Sequence, residues 1–238
     1  YGGDWFLTIL LLTLAVMTIF SGGVGAIIQN NIKKVFMYFI ICHIGFMIGG
    51  LALYTEIAIA GVIFYLIHDI IIKTNLFLMS GLIYRIKTTT NMKKLGGLYA
   101  HYPKLSLLMA IPLFSLIGIP PLSGYWPKIS LFLASFNAEE YWLFGALVFG
   151  SLITLIVIAK LWAEAFWKDQ PKMTYPKKFI YFDELRFGQK FTFIFPVAFL
   201  TFVTLYIGFG AEHIQQLSQR IATELMNNEL YINAVLKK

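Results

Sequence analysis

Charged side chains are scarce in this sequence, since Asp, Glu, Lys and Arg make up 13% of its 238 residues, against 58% hydrophobic residues. Soluble domains carry roughly 25% charged residues, so the composition excludes an ordinary soluble domain. The single cysteine, Cys42, excludes an intrachain disulfide and a Cys-x-x-Cys metal motif. The sequence predicts no cofactor and no metal site.

Positive charge exceeds negative charge, with 19 Lys and Arg against 12 Asp and Glu. The basic residues cluster in three connections between apolar runs, whereas the other connections carry Glu56, Glu139 and Glu140. Cytoplasmic loops of membrane proteins retain Lys and Arg, so we expect both termini of this segment outside. No basic domain is present outside the membrane, and nucleic acid is therefore not an expected partner.

Six apolar runs are each long enough to cross a bilayer, which takes about 20 helical residues. They predict an all-α fold, a polytopic membrane helix bundle over residues 1–210 in which the fourth helix is broken. Residues 211–238 form a polar tail whose Ile214, Leu217, Ile221 and Leu225 share one helical face. We expect this amphipathic helix to lie against the membrane surface or a partner subunit. The runs are approximately 5–28, 35–54, 56–85, 105–136, 141–167 and 191–210.

The fourth run contains a Gly/Pro-rich interruption with Gly118, Pro120, Pro121 and Gly124, and Lys128 follows one turn later. Proline removes backbone donors and clashes with the preceding turn, so the run should open into two half-helices near mid-membrane. A charged lysine within a span costs at least about 2.5 to 3.5 kcal/mol. Because broken helices commonly form ion sites in transporters, the pattern predicts ion translocation.

Polar residues also lie in the middle of two other runs: His43 in the second, and His68, Asp69 and Lys73 in the third. Asp69 and Lys73 are four residues apart, so they can form a buried ion pair. That pair is either purely structural or, as we favour, part of a proton wire of closely spaced titratable groups joined by water. His43 either bonds a neighbouring backbone carbonyl or belongs to the same wire.

Lys160 and Glu164 are secondary candidates in the fifth run. They are four residues apart and lie within two turns of its basic end. Pairing with each other, or snorkelling of the side chains to the interface, explains them without a functional role.

Three strings of this sequence carry a resemblance to a known family. They are Asn31-Ile-Lys-Lys34, His68-Asp-Ile-Ile-Ile-Lys73-Thr-Asn-Leu-Phe-Leu, and Gly118-Ile-Pro-Pro-Leu-Ser-Gly-Tyr followed by Lys128. They resemble the proton-translocating, antiporter-like family shared by respiratory complex I and the multisubunit cation/proton (Mrp-type) antiporters, with the Mrp-type members the more similar. Family members have about fourteen helices built as two inverted five-helix repeats, and this chain is similar to the last six. Because the chain starts at Tyr1 without an initiator Met, we expect it to be a piece of a longer protein.

The resemblance implies roles for individual residues. Lys73 is expected to be the central lysine of a half-channel, with His68 as its neighbour. Lys128 is expected to be the terminal lysine, on a broken helix that opens toward the outside. Asp69 and His43 complete the expected relay.

The resemblance also implies a function: a membrane subunit of a multisubunit monovalent cation/proton antiporter, in which the buried relay conducts protons coupled to Na+ export. Such a chain is a secondary transporter subunit of the cell membrane and not an enzyme. Its expected partners are the other subunits of a hetero-oligomeric complex, Na+ and H+, and the lipid bilayer. Two alternatives stay open: a proton-pumping membrane subunit of NADH–quinone oxidoreductase, and a non-transporting scaffold.

Overall fold

The computed structural model describes residues 5–169 and 182–227, and helices make up most of these two ranges. A π-helical turn, Ala163–Trp167, continues α7, and short 3-10 turns lie at Met92–Lys94 and Phe182–Glu184. The helices are α1 (Trp5–Ile28), α2 (Ile32–Leu53), α3 (Glu56–Lys87), α4 (Leu98–His101), α5 (Pro103–Ile117), α6 (Tyr125–Asn137), α7 (Tyr141–Trp162), α8 (Phe187–Phe209) and α9 (Ala211–Met226).

Five of the described helical segments are long and apolar enough to cross a membrane: α1, α2, α3, α7 with its π turn, and α8. The fourth predicted span consists of α5 and α6, which have 15 and 13 residues and are each shorter than one crossing. The interruption between them covers residues 118–124. The prediction of an all-α, multi-pass membrane bundle is confirmed.

α2 and α8 begin earlier than the hydrophobic pattern predicts, by three and four residues. α2 begins at Ile32 because the side chain of Asn31 accepts hydrogen bonds from the backbone N–H groups of Lys33 and Lys34. α8 begins at Phe187, and the Gln189 side chain accepts a hydrogen bond from the backbone N–H of Arg186 at 3.2 Å. Capping by polar side chains thus extends both helices beyond their apolar runs.

α3 is the central helix, and it packs against α2, α5, α6, α8 and α9. At one end of the bundle, the N–H of Ile32 donates to Thr90 O at 3.0 Å and the N–H of Met92 donates to Asn30 O at 2.8 Å. These bonds join the start of α2 to the connection that follows α3. We call this end the basic end, because its connections carry Lys33, Lys34, Lys93, Lys94 and Lys168.

α9 packs along the first turns of α3, at the end of the bundle opposite the basic end. Ala222 lies in a buried cluster with Ile59 and Ala60 of α3, and the helix also buries Ala211 and Ser218. Small residues at these positions let the two helices approach closely, and a search for large apolar residues overlooks them.

The predicted apolar face of the tail is divided by this packing. Ile214 contacts α3, while Leu217 and Leu225 are exposed. α9 thus packs partly inside the bundle, and the expectation that it lies against the membrane surface or a partner subunit stays a prediction for its exposed residues. Residues 228–238 lie outside the described residues, and the division of the chain at residue 210 stays a prediction.

Candidate functional site

α2 and α3 bring three titratable side chains together inside the bundle, which we name the Lys73 triad: His43, Asp69 and Lys73. Nδ1 of His43 lies 2.9 Å from Oδ1 of Asp69, and Nζ of Lys73 lies 3.6 Å from the same oxygen. Nζ of Lys73 is also 3.3 Å from Nδ1 of His43. His43 therefore contacts a carboxylate and an ammonium. The alternative interpretation, in which His43 forms a hydrogen bond with a neighbouring backbone carbonyl, is wrong.

The triad is buried, with exposed fractions of 0% for His43, 7% for Asp69 and 6% for Lys73. A charge removed from water is costly unless it is paired and hydrogen-bonded, so Asp69 and Lys73 compensate each other. A neutral imidazole nitrogen either donates or accepts, and Nδ1 cannot donate to Asp69 while it accepts from Lys73. The triad therefore has two hydrogen-bonding arrangements, which differ in the position of one proton.

An aromatic stripe on α2 runs from this triad toward the broken helix. Phe39, His43 and Phe46 lie on one face of α2, and His43 contacts both phenyl rings. The ammonium of Lys73 lies 5.7 Å from the ring centre of Phe39, and that of Lys128 lies 5.9 Å from the ring centre of Phe46. Phe39 and Phe46 are seven residues apart, so their Cα atoms lie about 10 Å apart along the α2 axis, and each ring contacts one of the two ammonium groups.

Lys128 is buried at the end of α5, although it belongs to α6. Its Nζ donates to Leu116 O at 3.0 Å and to Ile117 O at 2.8 Å. The last carbonyls of a helix have no intrahelical donors, and the negative end of the helix dipole lies there. The ammonium group thus satisfies two carbonyls that the interruption frees.

His68 faces the interruption and not Lys73. Its Nδ1 lies 2.8 Å from Oγ of Ser123, which in turn lies 2.9 Å from Oγ of Ser115. All three side chains are at most 1% exposed. We name this hydrogen-bonded group the serine–histidine chain. It crosses from α3 through the interruption to the last turns of α5, next to the carbonyls that bind Lys128.

Two glycines allow the interruption to take this form. Gly118 has φ +92°, a left-handed conformation that ends α5 and that L side chains rarely adopt. Gly124 lies so close to its neighbours that a Cβ would overlap the carbonyl oxygen of Ser115 and lie 3.0 Å from Nε2 of His68. Pro120 and Pro121 are exposed, and they add no N–H groups that would need a partner there.

The secondary candidates lie away from the buried groups. Lys160 is exposed and its Nζ donates to Ile27 O at 3.4 Å, at the end of α1. Glu164 pairs with Lys168 at 2.9 Å, in the π-helical turn. The interpretation that Lys160 and Glu164 pair with each other is therefore wrong, and the exposed position of Lys160 agrees with snorkelling.

Sequence reasoning missed the serine–histidine chain. Ser115 and Ser123 flank the interruption, but serine is common in apolar helices and next to glycine. The helix that contains Ser115 ends at Ile117, so helical periodicity does not relate Ser115 to Ser123. Only the folded interruption brings the two hydroxyl groups together.

A metal site has no support in the described part of the chain. No group of three or more His, Cys, Asp or Glu side chains there is arranged to hold a metal ion. The described polar groups of the interior are suited to proton exchange, since they combine imidazole, carboxylate, ammonium and hydroxyl groups at hydrogen-bonding distances.

The chain is similar to known membrane proteins over most of its length. A family model described as "NADH:quinone oxidoreductase/Mrp antiporter, TM" matches residues 2–154. The chain is 38% identical over 229 residues to the D subunit of the Na(+)/H(+) antiporter of Alkalihalophilus pseudofirmus, a match that covers 96% of this chain and 45% of that protein. It is 32% identical, with the same coverage, to the corresponding D subunit of the Na(+)/H(+) antiporter of Bacillus subtilis.

A solved structure of the Mrp complex from Dietzia sp. DQ12-45-1b has a chain with a similar fold. The TM-score is 0.87 at 24% identity, and the match covers 99% of this chain and 50% of that one. The chain thus spans less than half the length of the curated relatives it matches. Which part of their length it matches stays a prediction.

Proposed function

The chain belongs to the NADH:quinone oxidoreductase/Mrp antiporter transmembrane family, and we propose that it is a membrane subunit of a multisubunit monovalent cation/proton antiporter. In this proposal it is a secondary transporter subunit, without an enzymatic reaction of its own. Its partners are the other subunits of a hetero-oligomeric complex, and it conducts protons coupled to Na+ export. The likeness to the D subunits of two Na(+)/H(+) antiporters, over 96% of the chain, favours this function over a subunit of an NADH–quinone oxidoreductase.

One observation carries the proposal: the titratable side chains that lie between Lys73 and Lys128 are all buried, as are the two lysines themselves. Protons cross hydrocarbon through closely spaced titratable groups that are joined by water. The order along the bundle, starting from the basic end, is Lys73, the Asp69–His43 contact, then His68 and Lys128. We propose that these five residues form the proton relay.

Orientation gives the relay a direction. The positive-inside rule supports a cytoplasmic location for the basic end, in a multi-pass protein of the cell membrane. Lys73 is then the member nearer the cytoplasm, and Lys128 is the member nearer the outside. Protons that enter past Lys128 leave past Lys73, and this inward flow supplies the free energy for Na+ export.

The experiment uses the complete native complex, expressed in a bacterial host that lacks its own Na+/H+ antiporters. Everted membrane vesicles are energised, and dissipation of ΔpH is followed after addition of NaCl. The wild-type complex should dissipate ΔpH, and Lys73→Ala should abolish the response. Lys94→Ala is a matched control, because Lys94 is exposed at the basic end and should be dispensable.

Three results would contradict the proposal. A Lys73→Ala complex with wild-type antiport would show that the triad carries no protons. Purification of the wild-type chain with redox subunits would identify an oxidoreductase complex, and an assembled complex without any cation-dependent ΔpH response would indicate a scaffold.

A further inference from the structure

The buried polar groups form two separate hydrogen-bonded sets, the Lys73 triad and the serine–histidine chain. Within the described residues, no direct hydrogen bond joins one set to the other. A relay between Lys73 and Lys128 needs a link at this point. Tyr65, which the sequence did not single out, lies between the two sets.

Tyr65 precedes His68 by three residues and Asp69 by four, so all three lie on the same side of α3. Its ring centre lies 5.5 Å from that of His43 and 6.0 Å from that of His68. Both imidazoles meet the phenol ring edge to face, with interplanar angles of 87° and 85°. One tyrosine ring therefore contacts a histidine from each set.

The polar atoms at this junction lack protein partners. The hydroxyl of Tyr65, Nε2 of His43 and Nε2 of His68 are all buried, and none has a hydrogen bond to any described residue. Buried polar groups are nearly always hydrogen-bonded, and an internal water requires two to four polar partners. Tyr65 contacts both imidazoles, so this junction offers three polar atoms as partners for internal water.

We propose that the Tyr65 hydroxyl, together with internal water, connects Nε2 of His43 to Nε2 of His68 and so joins the two halves of the relay. This inference rests on the proposed function. In each transfer the phenol oxygen accepts a proton from the donor on one side and releases its own O–H proton to the acceptor on the other. One O–H bond forms and one breaks, so the phenol stays neutral.

Tyr65→Phe tests this role because it removes the hydroxyl and keeps the ring. The packing of Phe46 and the two imidazoles against the ring should be unchanged. Because the hydroxyl has no hydrogen bond to any described residue, its removal should not weaken folding, and the amount of assembled complex should match wild type. Antiport in everted vesicles should fall by about a hundredfold, the low end of what a positioned proton-transfer group contributes.

A solvent isotope measurement separates proton transfer from packing. In Tyr65→Phe, proton transfer should become the slow step, so the ratio of antiport rates in H2O and D2O should rise above the wild-type ratio. Tyr38→Phe is the matched control: Tyr38 lies on α2 against Gly25, outside both sets, and its rate and isotope ratio should not change.

Wild-type antiport in Tyr65→Phe would overturn the inference, and so would a slower rate with an unchanged isotope ratio, which indicates packing. The Lys73→Ala variant identifies which claim has failed. If Lys73→Ala is inactive while Tyr65→Phe is active, the link through Tyr65 fails and the proposed function stands. If both variants are active, the proposed function fails as well.

Discussion

Asp69 is the residue on which the Lys73 triad depends, since one carboxylate oxygen contacts both His43 and Lys73. Breaking a buried pair on one side leaves an uncompensated charge, whereas replacing both partners is often neutral for stability. The structural and functional contributions of the pair can therefore be separated by comparing a single with a double substitution.

Asp69→Asn should lower the stability of the purified complex, at a cost of about 3 kcal/mol for the unpaired Lys73 charge. Asp69→Asn combined with Lys73→Gln should recover most of that stability, because neither side chain then carries a charge. Both variants should lack antiport. Thermal unfolding of the detergent-purified complex measures the change in stability, and ΔpH dissipation in vesicles measures antiport. A double variant that transports would show that the pair is purely structural.

At the residue scale, the sequence predicted the members of the buried set but not all their contacts. The spacing of Asp69 and Lys73 was sufficient to predict their pairing, because both lie on one helix. The partner of His43 depends on how α2 and α3 pack, which helical periodicity does not specify. For the same reason Ser115, Ser123 and Tyr65 gave no signal of their own.

At the element scale, three side chains of the surrounding helices fix the geometry of the interruption between α5 and α6. Lys128 satisfies two carbonyls of α5, and His68 binds Ser123. The indole N–H of Trp126 donates to Gly208 O at 3.0 Å, near the end of α8. Glycine and proline were enough to predict the position of the interruption, whereas its fixed shape depends on helices distant in sequence.

Gly208→Ala should disturb this arrangement. A Cβ at Gly208 would lie 2.6 Å from Pro121 O and 2.9 Å from Ser123 N, and backbone atoms cannot move aside as a flexible side chain can. We expect α8 to shift away from the interruption, the Trp126 bond to weaken and antiport to fall at least about tenfold, a loss equal to 1.4 kcal/mol of activation free energy.

Gly145→Ala is the matched control for that substitution. Gly145 lies within α7, and a Cβ there would meet no atom within 4 Å. Alanine favours the helix over glycine, so transport and assembly should equal or exceed wild type. Equal antiport in the Gly208 and Gly145 variants would show that α8 does not support the interruption.

At the scale of the whole molecule, the bundle separates a basic end from an end that carries Glu56, Glu139 and Glu140. The number of spans and the interruption followed from the lengths of the apolar runs. The place of α9 did not, because it packs on α3 through small residues. Composition gave the class of protein, while tertiary packing decided which helices meet.

The orientation of the bundle can be measured with introduced cysteines. Lys94→Cys lies at the basic end and Ala138→Cys at the opposite end, and both positions are exposed. In intact cells a membrane-impermeant maleimide should label Ala138→Cys and spare Lys94→Cys, and everted vesicles should give the reverse. The native Cys42 is fully buried, so the unsubstituted chain supplies the background. Labelling of Lys94→Cys in intact cells would contradict a cytoplasmic basic end.

If Lys128 passes protons, a Lys128→Arg complex should lose Na+-dependent ΔpH dissipation in everted vesicles. Arginine keeps the positive charge and the donors that bind the α5 carbonyls, but it does not release its proton. We expect normal assembly, with antiport reduced to about a hundredth of wild type. Lys160→Arg, at an exposed lysine, should transport normally. A Lys128→Arg complex that transports like wild type would show that Lys128 serves only to cap α5 and would contradict the relay.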